Sequence, residues 1–268
     1  QKAAKSTAES QKAKSTDDAD TARLKRKLPV LETTGASGTT DKSGTANSIL
    51  KDEIGNLNQI TGFVPDDSVA KSVTITYRPE STVYVAERYG VFYEDDTWKD
   101  IEHSGKDDEE EMWEHMEDYL SCPTDLQKLT HYYIEEIGGI DGEWKDSKSE
   151  IEAIRKKICE ALWELAVYDT EPGATPAGKD FVEYFLFENR KGFCVHFASA
   201  GTLLFRLAGK EARYAEGYAV PASAFEEQED GTYQAQISGA MGHAWCQVWC
   251  LDDGYWENVE VTPPAGIE

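Results

Sequence analysis

Long apolar runs are missing from this chain. None approaches the roughly 18 consecutive residues that a bilayer-crossing helix needs, so no segment is expected to insert directly in a membrane. The first residues also lack the apolar centre of a secretory leader. Cationic side chains are in short supply: 27 Lys and Arg face 51 Asp and Glu, which leaves a formal charge of −24. A nucleic acid or an anionic membrane would be repelled rather than steered in, which argues against both as partners. A neutral or cationic substrate fits better. The five cysteines, Cys122, Cys159, Cys194, Cys246 and Cys250, are odd in number and irregular in spacing, so they do not read as a disulfide framework. In a strand, Cys246 and Cys250 of "HAWCQVWC" would stand roughly 13 Å apart, beyond the roughly 7 Å reach of a bridge, and are expected to pack on one face. Paired CxxC metal motifs and internal repeats are absent. The chain starts at Gln1 rather than Met and stops soon after "VTPP", so a longer parent chain, with any anchor in the missing flanks, is expected.

With 40% hydrophobic and 11% aromatic residues, 268 residues can bury at least one sizeable core. Residues 1–55 are rich in Lys, Ser, Thr, Ala, Asp and Gly and read as a low-complexity tail or linker. Residues 56–110 change to alternation in "SVTITYRP" and "STVYVAERYGVFYEDDTW", which predicts a small antiparallel β-rich segment. The acidic stretch "KDDEEEMWEHMED" opens a helix whose first turn suits the positive end of the helix dipole. A solvated face explains its charge better than calcium, because the Asp/Asn-plus-Gly spacing of an EF-hand is missing. Helical periodicity follows around 123–137 and 148–167, and Cys159 falls on the apolar stripe of the second as a small core residue. A further helix begins at Cys194, with Phe197, Leu203, Leu204 and Leu207 on an apolar face and Gly209 placed to end it. Alternating segments around 212–220, 232–238, 242–250 and 254–261 read as antiparallel strands. Residues 111–268 therefore form an α+β core.

A cysteine becomes a nucleophile when its pKa falls, and a helix N-terminus lowers it by presenting unpaired N–H groups to the thiolate. Cys194 is placed for that, Gly192 would let its backbone approach a substrate, and the Cys194 N–H could serve as half of an oxyanion hole. A cysteine at a helix start is also a common packing residue, so this feature alone does not choose. In "GHAWCQVW", His243 opens a strand after "SGAMG" and can sit at the mouth of a cleft, where imidazole is suited to proton transfer. In "GYWENVEVTP", Glu260 lies on the next strand after a turn near residues 252–254. Across such a hairpin a carboxylate can reach the ring nitrogen that does not face the thiol.

These blocks, "GFCVHFASAGTLLFRLAGKEARYAEGY", "GHAW" and W-x-x-V-E-V-T-P, together resemble the transglutaminase-like superfamily of papain-related cysteine enzymes. The resemblance covers roughly residues 120–264. It implies a core of helices packed on an antiparallel sheet, with Cys194 as nucleophile, His243 as base and Glu260 as orienting acid. The family usually has Asp at the third position, and usually Glu where this chain has Gln247. Residues 83–98 are also similar to a small β segment that precedes such cores in bacterial membrane-anchored members. Arg213 and Tyr218 match positions that support the strand near the site.

The resemblance implies amide acyl transfer through a thioester, with peptidase- or amidase-type hydrolysis of a peptide or cell-wall-linked amide favoured over protein cross-linking. A non-catalytic module that binds a peptide or cell-wall stem on the same fold is the alternative. Tyr168, Trp163 and Trp245 are candidates for the second oxyanion donor or the cleft wall. His196, two residues past the nucleophile, points elsewhere on a helix and is expected to pack rather than bind zinc. His103, His115 and His131 read as surface residues without partners. Thiolate chemistry needs no organic cofactor, and none is expected. Calcium stays open, given the acidic surplus and calcium-dependent relatives, although no loop spells out a site. The resemblance and the polar leader together imply a location outside the cytoplasm, secreted or anchored at the cell surface.

Overall fold

The computed structural model of the chain describes residues 32–35, 56–103, 105–138 and 147–264. In chain order the N-terminal half has strands β1 (Glu32–Gly35), β2 (Val69–Ile75), β3 (Val83–Gly90), β4 (Phe92–Glu94) and β5 (Thr97–Lys99), then helices α1 (Asp108–Glu114), α2 (Met116–Leu120), α3 (Gln127–Tyr132) and α4 (Lys148–Leu165). Strand β6 (Val167–Tyr168), helix α5 (Phe181–Tyr184), strand β7 (Lys191–Gly192) and helix α6 (Cys194–Leu207) follow. Strands β8 (Ala212–Val220), β9 (Glu226–Glu227), β10 (Tyr233–Ser238), β11 (Gly242–Cys250) and β12 (Tyr255–Val259) complete the chain.

Helix α6 is the element that the others cover. Its sequence suggests one apolar face, yet every residue from Cys194 to Arg206 is buried. Small side chains make this feasible, since they let β11 and the residues after β12 approach closely. A Cβ on Gly201 would lie 2.8 Å from Val261 Cγ2 and 3.0 Å from Cys246 Sγ. The polar side chains that go inside find partners, as burial requires. Trp98 Nε1 donates to Ser199 Oγ at 2.9 Å, and the Arg206 guanidinium donates to the carbonyls of Ala212 and Ser121. Gly209 ends the helix as expected: it adopts a φ of +73°, and the N–H groups of Gly209 and Lys210 return to the carbonyls of Arg206 and Phe205.

Two four-stranded antiparallel sheets follow the orders β12-β11-β8-β3 and β1-β2-β10-β9; β11 and β8 of the first pack on this helix, while the second builds a separate apolar cluster from Val73, Ile75, Ala235 and Ile237 with Val85 and Val220 of the first. The β-rich segment 56–110 does not pair only with itself. Its β3 is the edge of the first sheet, against β8, and its β2 lies beside β10; only β4 and β5 form a local hairpin. Period-2 alternation marks a strand but does not name its partner, which explains the difference. Gly217 is required where β3 crosses β8, because a Cβ there would stand 2.0 Å from the Val85 carbonyl oxygen. Apart from β1, the segment 1–55 lies outside the described residues.

The acidic helix expected near 106–118 is two short helices broken at His115, the first capped by Asp107, whose carboxylate accepts the Glu110 N–H at 2.9 Å. The helix expected over 123–137 is α3 continued by a wider π turn to Gly138. The one expected over 148–167 ends at Leu165. All five cysteines are free, and Cys246 and Cys250 are both buried, as the strand spacing implied.

A carboxylate pair ties the β4–β5 turn to α5. Asp96 Oδ1 accepts the Phe181 N–H at 2.7 Å, while Asn58 Nδ2 donates to Oδ2. Asp180 caps α5 by accepting the Glu183 N–H at 2.7 Å and accepts the Tyr93 hydroxyl at 2.8 Å. Burial, with the neighbouring Asp96 charge, raises the Asp180 carboxyl to about 6 from an ordinary 3.8. Between those values the folded chain keeps a proton that the unfolded chain has lost, so this group's contribution to stability falls as pH rises through the window. Asp180→Asn keeps the capping oxygen and removes the titration. Its melting temperature relative to wild type is expected to rise by about 2–4 °C between pH 4 and pH 8, and parallel pH profiles would contradict this account.

Candidate active site

Phe193 is extended, with φ −124° and ψ −171°, and Cys194 follows it as the first residue of α6. The Cys194 N–H therefore has no acceptor within its own helix. The sulfur is enclosed, with the residue only 2% exposed, yet it is not surrounded by apolar groups alone: the Cys194 side chain acts on the His243 ring and favours its protonated form. His243 is the second residue of β11, paired with Gly217 on β8. Strand β12 runs back along β11 with Cys246 opposite Val259, which brings the chain just past Val259 to the histidine. Glu260 is therefore not within the strand, as expected, but immediately after it. Its Oε2 lies 2.5 Å from His243 Nε2. Nε2 is thus committed to the carboxylate, and Nδ1 is the nitrogen left for the thiol.

The longer side chain of Glu260 is accommodated by folding back on its own backbone, where the Thr262 N–H donates to Oε1 at 2.8 Å. The second oxygen also accepts the hydroxyl of Tyr84, on β3, at 3.1 Å. Burial disfavours the His243 imidazolium, but the hydrogen bonds and charges of Cys194 and Glu260 outweigh it and raise the ring to about 10. Burial likewise opposes charge on Glu260, yet His243 and the Thr262 N–H hold its carboxyl below the usual value. Burial and the Glu260 charge push the Tyr84 hydroxyl up, so it remains a phenol and a donor.

The three side chains singled out for the oxyanion or the cleft wall fall in different places. The indole N–H of Trp163, on α4, donates to the Val261 carbonyl at 2.9 Å and is not free for an oxyanion. Trp245 is fully buried and its indole N–H donates to Asn258 Oδ1 at 2.8 Å. Its ring lies nearly parallel to His243, 6.3 Å away, and 4.9 Å from Tyr84, so it backs the imidazole. Tyr168 is on β6 rather than in the preceding helix. Its phenol is raised to about 12 by burial, with Cys194 and Glu260 adding electrostatically, which places it beside the thiol.

Gln247, where the resembled family has Glu, accepts Arg213 Nε at 2.8 Å and donates to Asn258 Oδ1 at 2.9 Å. Arg213 itself is clamped between Tyr89 and Trp256, 3.8 and 4.2 Å from the ring centres. It supports the sheet behind Trp245. His196 packs among Phe181, Phe185 and Phe193, accepts the Phe193 N–H at 3.4 Å, and is lowered to about 3 by burial. Gly192 is needed for that packing, because a Cβ would lie 2.6 Å from His196 Cγ. His103 and His115 are not unpartnered: Glu111 and Asp100 flank the first, and Asp118 bonds the second. Among the described residues, no three His, Cys, Asp or Glu side chains converge to hold a metal. The residue that the sequence did not reveal is Tyr84, whose role depends on β3 pairing with β8.

A family model described as the transglutaminase-like superfamily matches residues 139–261. Two curated proteins are similar over about a third of this chain. "Uncharacterized protein YebA" of Bacillus subtilis is 33% identical over 99 residues, and a protein-glutamine gamma-glutamyltransferase of Pseudomonas aeruginosa is 37% identical over 95. In each case the match covers 35% of this chain and 13% of the relative, so the chain spans about an eighth of their length. Among solved structures, the periplasmic domain of TgpA from P. aeruginosa bound to ethylmercury is 17% identical, covering 91% of this chain and 93% of that one, with a TM-score of 0.41.

The imidazolium should depend on its carboxylate. Glu260→Gln is expected to lower the His243 titration midpoint from about 10 by roughly one to three pH units, as read from the ring proton resonances. An unchanged midpoint would mean that Glu260 does not hold the ring's charge.

Proposed function

The chain carries a transglutaminase-like domain, and from that premise we propose that it is a cysteine-dependent enzyme of amide acyl transfer. The observation that carries this reading is the imidazole of His243, hydrogen-bonded to Glu260 and raised toward its protonated form by Cys194 at the start of α6.

In the first step the thiol proton passes to His243, which generates a thiolate at the positive end of α6. The sulfur attacks the carbonyl carbon of a neutral carboxamide, and the Cys194 N–H faces the developing oxyanion. As the C–N bond breaks, His243 passes its proton to the leaving nitrogen, and an acyl thioester remains on Cys194. The now neutral ring takes a proton from the acceptor, which adds to the thioester and releases the thiolate. Glu260 keeps the ring oriented and stabilises its charge in both halves. Tyr168, still a phenol at neutral pH, is the candidate for the second oxyanion donor. Water as acceptor gives a peptidase or amidase; an amine gives cross-linking. A protein or cell-wall peptide is the substrate class that the resemblance favours, and the name of the Pseudomonas relative adds weight to a glutamine carboxamide as donor. Placement outside the cytoplasm follows the same resemblance. No helix among the described residues is long and apolar enough to cross a membrane.

Two measurements test the reading. At pH 6, iodoacetamide should alkylate Cys194 on the order of tenfold faster in wild type than in His243→Ala, and equal rates would sink the activated thiolate. With a blocked Gln-Gly peptide, ammonia release should occur in wild type and vanish in Cys194→Ala. Adding putrescine distinguishes an amine acceptor from water. Capture of such peptides without any turnover would identify a binding module instead.

A further inference from the structure

Beside the thiol lies a strand with one edge in use and the other open. The Val167 N–H donates to the Arg190 carbonyl at 3.0 Å, and the Asp169 N–H donates to the Gly192 carbonyl at 2.8 Å, so both face β7. Amides of an extended chain alternate in direction, and the N–H and C=O of Tyr168, between them, point away from β7. Strands β6 and β7 form a sheet of two, and no other described strand pairs with this outer edge. Two residues on, the same edge is taken up by the Phe63 N–H, which donates to the Thr170 carbonyl at 2.8 Å, but at β6 itself Val167 is 59% and Tyr168 39% exposed. It is also bare of the Lys or Pro that commonly blunts such an edge. The register sets Tyr168 opposite Gly192, two residues before Cys194, and its phenol feels the Cys194 and Glu260 charges, so β6 runs beside the candidate site.

We propose that β6 is the docking strand for the substrate main chain: an extended peptide adds to its outer edge, with the Tyr168 N–H donating to a substrate carbonyl and the Tyr168 C=O accepting a substrate N–H. Pairing of this kind reads backbone and tolerates varied side chains. It would carry the reacting carboxamide past Gly192 to the sulfur. The substrate class narrows accordingly to extended peptides with secondary amides flanking the reacting group, and free glutamine or a simple amide is a poor substrate. The inference rests on Cys194 being the nucleophile, as proposed above.

The test is a labelling series that needs no variant of the protein. A blocked tripeptidyl chloromethyl ketone, the same reagent N-methylated at each amide in turn, and chloroacetone, which carries the warhead without a peptide, are compared for the rate of Cys194 modification by intact mass. The parent peptide should react at least tenfold faster than chloroacetone. One N-methylation should slow it roughly tenfold, as expected for one lost hydrogen bond, and the others should change it less than twofold. Hydrogen exchange gives a second reading: the Tyr168 amide should be protected in the peptide adduct relative to the chloroacetone adduct. A peptide that reacts no faster than chloroacetone, indifference to every N-methylation, or equal exchange at Tyr168 overturns the proposal. These outcomes are separate from the iodoacetamide comparison, which fails only where His243 does not activate the thiol.

Discussion

The hydrogen bond between His243 Nε2 and Glu260 Oε2 is the interaction on which the rest of the site depends. It spends one ring nitrogen and so decides which one meets Cys194. Holding a cation in a partly buried place requires a nearby anion, since removing one member of such a pair leaves an uncompensated charge that costs about 3–5 kcal/mol. The fold supplies the anion from three directions. The β11–β12 hairpin brings it within reach, the Thr262 N–H pins one oxygen, and Tyr84 donates to the other. Charge on His243 and charge on Glu260 are therefore one property rather than two. The histidine contributes stability that is lost as pH rises toward 10, and the glutamate contributes stability that is lost in acid, so the pair is intact across the neutral range.

Much of this was legible because the informative residues sit in short local patterns. Gly-x-Cys at a helix start, His at a strand start after "SGAMG", and an acid ahead of Thr-Pro are each readable without knowing what they pack against. Glu260 illustrates the limit of such reading: its identity was clear, but the strand ends one residue earlier, and the loop after Val259 is what lets the longer side chain fold back to Thr262. Tyr84 was not legible at all. Alternation in "STVYVAERYG" marks a strand, yet nothing in it says that the strand pairs with β8 about 130 residues later and so brings a phenol to the acid. The same gap misplaced Trp163 and hid the packing of Gly192. A tryptophan near the site reads as a cleft residue until its N–H is found on the Val261 carbonyl, and a glycine near a nucleophile reads as a substrate contact alone until His196 is found above it.

Helix α6 shows why composition understated the core. A helix with one apolar stripe is expected to present its other side to water. Here the middle turn, Ala198, Ser199, Ala200, Gly201 and Thr202, is small all the way round, so neighbouring elements close over it, and it is polar only where a partner is at hand. The departure at Gln247 is absorbed in the same spirit. A neutral amide accepts from Arg213 and donates to Asn258, which fixes the Trp245 ring behind His243, while the arginine's charge is sheltered by two aromatic faces.

The N-terminal β segment is consequently a part of the candidate site and not a spacer ahead of it. Strand β3 caps the open edge of β8, and its Tyr84 is the third donor to Glu260 and the ring that packs on Trp245. Remove that segment, and the acid loses a hydrogen bond, the tryptophan behind the histidine loses a covering ring, and β8 gains an unpaired edge. The site also has a direction. With Trp245 and Tyr84 packed beside the histidine, and α6 buried, Tyr168 on β6 is an exposed residue within the field of Cys194. Although the whole chain carries 24 net negative charges, the group that β6 presents on this side is a neutral phenol, held in that form by burial and by the charges around it.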